Sequence, residues 1–174
     1  MRKDRRALDI SVINSAVPWA MAITVYSSAM DVVLCTPTGD SPDISPGAAS
    51  GMAAGGLVYL MGGTPEQCCQ AASCAVQNIL DTICDPVAGL VQIPCINRNA
   101  MSAANTVVSA NMIMGGFDSL IPLDQTAEIL FRVGRQLPSE LRCTCRGGLC
   151  ITPCGQKLAA EQDARDNART AAQA

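Results

Sequence analysis

At 174 residues with 49% hydrophobic content, the chain can bury one sizeable core, but aromatics make up only 3%, with Trp19 the single tryptophan, so Ala, Val, Ile, Leu and Met must fill it. A net charge of −3 and a pI of about 4.8 give no basic field for nucleic acid. The absence of histidine excludes Ser-His triads and imidazole acid/base work, and neither of the two lysines, Lys3 and Lys157, sits in a convincing pocket for a pyridoxal Schiff base.

The basic cluster Arg2, Lys3, Arg5 and Arg6 reads as solvated chain. Asp9 and Asn14 interrupt the hydrophobic stretch that follows, which is unlike a signal peptide; a reducing, cytoplasmic compartment is expected. The uncharged run from Ile10 to Met30 is long enough to span a bilayer, but Ser, Asn, Thr and Pro18 dilute it, and it reads as buried helix rather than membrane span. Residues 15–34 are apolar all round and predict a helix or two, broken near Pro18. Thr36-Pro37-Thr38-Gly39-Asp40-Ser41-Pro42 is a loop.

Helical pattern resumes from about Ala48 to Met61 and is closed by Gly62-Gly63. Thr64-Pro65-Glu66-Gln67 is a strong helix start: Thr64 caps, Pro65 suits the first helical position and Gln67 completes a capping box. That helix is expected to run to about Ile83, before Asp85-Pro86. Pro86, Gly89 and Pro94 make the next stretch a loop with one short turn. A further helix is expected from about Asn99 to Met114, ending at Gly115-Gly116, and Asp124 is expected to cap another through Arg135. After Pro138 the chain is irregular to Gly155, and Leu158 to Ala174 reads as a frayed helix or polar tail. No strand pattern of useful length appears. The class is all-α, a single compact helical domain with a Cys-bearing Pro/Gly loop between helices.

Ten cysteines remain to be explained. An even count is compatible with disulfides in a secreted protein, but in a reducing compartment clustered cysteines bind metal or stay as thiols. Cys68, Cys69 and Cys74 fall within a helix and read as core or surface thiols. Cys143, Cys145, Cys150 and Cys154 form a C-x-C-x4-C-x3-C group, either a zinc or cluster site or incidental thiols. Cys84 and Cys95 flank the Pro/Gly loop. Such a loop can turn two thiolates toward one point and offer backbone N–H groups to cluster sulfurs, although its spacing matches no standard zinc or ferredoxin pattern.

The run from Cys84 to Ala100 closely resembles the alpha-chain signature of the iron-sulfur L-serine dehydratases. The likeness extends through Ala49-Ser50-Gly51-Met52-Ala53-Ala54 and Gly62-Gly63-Thr64-Pro65-Glu66-Gln67 before it. Beyond it come Asn105, Ile121-Pro122, Asp124, Val133-Gly134-Arg135, Leu137-Pro138, Glu140-Leu141-Arg142, Gly147-Gly148-Leu149 and Thr152-Pro153. Upstream, Ala20-Met21-Ala22, Met30 and Thr36-Pro37-Thr38-Gly39 resemble the family's Pro-Thr loop, so the likeness spans roughly residues 20–157. The resemblance implies a lyase of amino-acid catabolism that converts L-serine to pyruvate and ammonia. It also implies a [4Fe-4S] cluster in place of pyridoxal phosphate, held by three thiolates of which Cys84 and Cys95 are two. One iron lacking a protein thiolate would act as Lewis acid on the serine hydroxyl. Arg98 is the candidate for the substrate carboxylate, or else an ion pair orienting the loop. Asn99 is a helix cap or a ligand, and Ser50 and Thr38 are candidates to meet substrate or to serve the backbone. A beta chain or a homodimer is the implied partner.

The chain departs from the family's pattern in one region. The first cluster cysteine of the family falls at Pro42, which cannot ligate iron, and a glutamate just beyond it falls at Ser45. Cys35 is the candidate substitute ligand. The sequence also looks shortened between about 40 and 47. The expected organisation is an N-terminal helical segment (1–34), a cluster domain (35–155) and a polar tail (156–174). The alternative to the enzyme is a non-catalytic helical member of the family that binds metal or serves structure only.

Overall fold

The computed structural model describes residues 45–80, 82–90 and 93–173. Five α-helices account for most of them: α1 (Ser45–Leu60), α2 (Pro65–Gln77), α3 (Cys95–Met114), α4 (Leu123–Gln136) and α5 (Pro153–Ala171). Single 3-10 turns lie at Val87–Gly89, Ser139–Leu141 and Gly148–Ile151. Among the described residues the one strand-like feature is an isolated parallel bridge between Cys84 and Arg142. The all-α expectation therefore holds, and no described helix is long and apolar enough to cross a membrane.

Small residues decide how the core is made. Ala54, Leu57 and Val58 of α1 meet Ala71, Cys74 and Ala75 of α2 and Ala110 and Ile113 of α3. Gly51 and Gly55, one turn apart on α1, face α2 at backbone distance: a Cβ on Gly51 would stand 3.3 Å from the Ala72 carbonyl oxygen, and one on Gly55 3.2 Å from that of Cys68. With few aromatics to fill space, helix pairs gain burial by closing the gap instead. α4 joins through Thr126, Leu130 and Gly134, buried at successive fourth positions.

Three of the predicted signals at helix ends are present. Thr64 Oγ1 accepts from the Gln67 amide at 3.2 Å while the Thr64 amide donates to Gln67 Oε1 at 2.9 Å, the reciprocal capping box. α1 closes on a Schellman motif, with the Gly63 amide donating to the Val58 carbonyl at 2.9 Å and that of Gly62 to Tyr59 at 3.0 Å. α3 ends the same way, through Phe117 to Met112 and Gly116 to Ile113, both at 3.0 Å.

Four boundaries differ from expectation. α2 stops at Gln77 rather than near Ile83, because the segment beyond is drawn into the backbone pairing of Cys84. α3 begins at Cys95, four residues before Asn99, which therefore lies inside the helix and does not cap it. At α4 the cap position belongs to Pro122 with no side-chain bond, and Asp124 sits in the first turn. The C-terminal helix starts at Pro153 rather than Leu158, where Thr152 Oγ1 accepts from the Gly155 amide at 3.1 Å. The N-terminal segment, including Thr38, Cys35 and Pro42, lies outside the described residues.

Candidate functional site

The Cys84–Cys95 loop is pinned by backbone bonds at its start and across its mouth. The Cys84 amide donates to the Leu141 carbonyl at 2.9 Å, and the Cys143 amide to the Cys84 carbonyl at 2.7 Å. Across the loop, the Val87 amide donates to the Ile93 carbonyl at 2.9 Å. Cys84 is buried and Cys95, the first residue of α3, is half-buried.

Beside Cys84, the Asp85 side chain is wholly buried, and burial of a carboxylate is expensive unless every oxygen is matched. Here both are. Oδ1 accepts from Arg98 Nη1 in an ion pair, and Oδ2 accepts from the Leu149 amide at 2.6 Å. Arg98 Nη1 also donates to the Ile83 carbonyl at 2.6 Å. Gly148 makes room for this: its φ is +61°, and a Cβ there would run into Asp85 Oδ2. One carboxylate thus holds together the loop, the first turns of α3 and the turn that precedes α5.

The next residue, Pro86, carries two thiols on its carbonyl. Cys145 Sγ donates to that oxygen at 3.2 Å and Cys150 Sγ at 3.3 Å. The chain leading into this pair is bent sharply, with Cys143 and Cys145 both in the left-handed region at φ 59° and 56°. Burial pushes the Cys150 thiol up to about 11, with the neighbouring Cys145 thiol and the Asp85 carboxylate adding to the rise. Cys154 is exposed at the start of α5. Among the described residues, no three Cys, Asp or Glu side chains come together as a group that could hold a metal ion.

Of the residues singled out from sequence, Cys84 and Cys95 bound one loop and Arg98 lies in the first turn of α3 beside it. Ser50 is elsewhere: it is fully buried between α1 and α3, donating to the Ser102 carbonyl at 3.1 Å and accepting from Asn105 Nδ2 at 3.0 Å. Thr106 Oγ1 lies 3.2 Å from it, and Asn105 Nδ2 continues to the Ala75 carbonyl of α2 at 2.8 Å. Asp85 is the residue that the sequence motifs do not single out; the signal for it is an acid beside a Cys-Pro loop with an arginine in the helix beyond.

A [4Fe-4S] cluster of the kind the resemblance implies takes three protein thiolates. The donor chemistry of Cys84 and Cys95 suits it, but among the described residues no third ligand joins them. Pro42 and Cys35, where the third is at issue, lie outside the described residues.

Comparison with known proteins places these features in a family. A family model described as the serine dehydratase alpha chain matches residues 43–150, which excludes the N-terminal part of the likeness. The probable L-serine dehydratase alpha chain of Bacillus subtilis is 46% identical over 112 residues, covering 64% of this chain and 37% of that one. The L-serine dehydratase alpha chain of Peptoniphilus asaccharolyticus is 45% identical over 112 residues, covering 64% and 38%. L-serine dehydratase TdcG of Escherichia coli is 45% identical over 106 residues, covering 60% and 23%. The chain thus spans well under half the length of these relatives. No solved structure matches it. With more than half of its residues inside the matched region, Asp85 and Arg98 among them, the chain belongs to the serine dehydratase alpha chain family.

Proposed function

We propose that this chain is the cluster-loop portion of an L-serine dehydratase, which converts L-serine to pyruvate and ammonia with a [4Fe-4S] cluster and without pyridoxal phosphate. The observation that carries the reading is the stretch from Cys84 to Arg98, where two cysteines bound a loop whose buried carboxylate, Asp85, holds the Arg98 guanidinium inside the region that matches the family. When bound, such a cluster supplies a Lewis acid for the serine hydroxyl.

The chain's own residues position and bind. Among the described residues, the bonds of Arg98 to Ile83 and Asp85 both use Nη1, and Nε and Nη2 of the same fork would take the carboxylate of serine. The ion-pair and substrate-binding readings of Arg98 are therefore compatible. Ser50 acts as a positioning residue, holding α1 against α3 one turn along from Arg98. Thr38 as a substrate contact and Cys35 as the third thiolate belong to the same proposal, as do a beta chain or second copy as partner and a cytoplasmic, reducing location that preserves the thiols.

A second reading, a non-catalytic helical member of the family, is favoured by Pro42, which stands where the resemblance puts the first cluster cysteine and cannot ligate iron. Iron and acid-labile sulfide per chain after anaerobic purification separate the two, measured beside Cys84→Ser and Cys95→Ser. About four of each, lost in both variants, supports the cluster site. Serine-dependent pyruvate then establishes the enzyme. Iron absent or indifferent to both substitutions rejects the cluster enzyme in favour of the second reading.

A further inference from the structure

We propose that Cys145 and Cys150 form a redox-active dithiol that closes to an internal disulfide by exchange with a low-molecular-weight disulfide. Their sulfurs donate to a single oxygen, the Pro86 carbonyl, at 3.2 and 3.3 Å, so the two thiols sit side by side around one point. Both are free thiols, and their surroundings differ in a way that orders the chemistry: Cys145 is exposed, whereas Cys150 is buried at 9%. An incoming reagent meets Cys145 first, and Cys150 waits behind it as the resolving thiol. Only four residues separate the pair, and two of them are Gly147 and Gly148.

The exchange balances without a metal. Cys145, as its thiolate, attacks one sulfur of R–S–S–R; the S–S bond breaks and R–S⁻ leaves to take up a proton. Cys150 then gives its proton to solvent and attacks the Cys145 sulfur of the mixed disulfide, expelling the second R–S⁻, which is protonated in turn. Two protein thiols are oxidised by two electrons, and the small disulfide is reduced to two R–SH. Closure removes both S–H donors from the Pro86 carbonyl, next to Asp85 on the candidate loop. The pair is distinct from Cys84 and Cys95, and its exchange chemistry is the same whether or not those two bind iron.

The test uses the full chain, purified anaerobically and incubated with oxidised glutathione, then alkylated and digested with trypsin. Cleavage after Arg142, Arg146 and Lys157 separates a peptide carrying Cys143 and Cys145 from one carrying Cys150 and Cys154. The expected product joins the two peptides, and fragmentation assigns the link to Cys145 and Cys150. Cys143→Ser and Cys154→Ser retain the link, and Cys145→Ser and Cys150→Ser lose it. In the reduced protein, Cys145 is alkylated faster than Cys150. A glutathione adduct that persists on Cys145, a link through Cys143 or Cys154 instead, or no reaction at all would overturn the proposal. The wild-type peptide map alone distinguishes these outcomes, even where a variant fails to fold.

Discussion

The carboxylate of Asp85 accepts the amide hydrogen of Leu149 at 2.6 Å, across 64 residues of sequence. That bond and the ion pair to Arg98 make Asp85 the point where three separate stretches of chain meet. A loop rich in proline and glycine has few bonds of its own to fix it. Its shape here depends on a charge that is tolerated only because both partners are in place.

Asp85→Ala is accordingly expected to cost about 3–5 kcal/mol in denaturant unfolding, since it leaves Arg98 and the Leu149 amide without their acceptor. Asp85→Asn keeps the shape but loses the charge, and should fall between the two. In a double-mutant cycle with Arg98→Ala the two substitutions should couple by about 1 kcal/mol or more. Additive effects would mean that the ion pair does not hold the loop.

Gly148→Ala tests the other side of the same carboxylate. The added methyl would occupy the place of Asp85 Oδ2 and would also have to adopt a left-handed backbone. A loss of about 2 kcal/mol or more is expected, together with faster hydrogen exchange at the Leu149 amide. Unchanged exchange would show that Gly148 is not needed to seat Asp85.

Ser50→Ala separates a structural from a substrate-binding serine. Ser50 Oγ is the acceptor for Asn105 and lies within hydrogen-bond reach of Thr106, all within the α1–α3 contact. Removing it takes the acceptor from one N–H of the half-buried Asn105 amide, at a cost of about 1 kcal/mol. A serine whose role is confined to substrate would leave the unfolding midpoint where it was.

The parts of this fold that could be read from sequence are those set by local chemistry. Thr64 to Gln67 is a self-contained cap, and Gly62-Gly63 and Gly115-Gly116 end their helices through bonds to residues within one turn or so. Two of the errors have a common origin in long-range pairing. α3 starts at Cys95 rather than Asn99, which puts Arg98 inside the first helical turn, where it reaches both Ile83 and Asp85. α2 ends early as the segment before Cys84 is drawn toward Leu141 and Cys143. The cysteine loop itself was legible because its residues follow one another. Asp85 was not, since its second partner arrives 64 residues later.

Packing by close approach predicts opposite outcomes for two glycines on α1. Gly51→Ala brings a Cβ within 2.9 Å of Val76 Cγ2 and 3.3 Å of the Ala72 carbonyl, so α1 and α2 must separate, costing about 1–3 kcal/mol. Gly56→Ala meets nothing within 4 Å and should stabilise the helix by about 0.5–1 kcal/mol. Thermal unfolding of the two variants should shift in opposite directions. Shifts of the same sign would mean that α1 does not lie against α2 at backbone distance.

The raised pKa of Cys150 makes a signed prediction for alkaline stability. The native thiol holds its proton to about 11, against 9.0 for an unperturbed one, because ionising it would place charge in a buried site beside Asp85. Between those values the native state binds more protons than the unfolded chain, so stability falls as pH rises through that window, and the contribution is fully present only below it. Measured by denaturant unfolding under reducing conditions, wild-type stability should decline from about pH 9 toward pH 11. In Cys150→Ser, which cannot ionise there, that part of the slope should disappear. An identical alkaline slope in both proteins would place the titration on another group and remove the case for a buried, late-ionising Cys150.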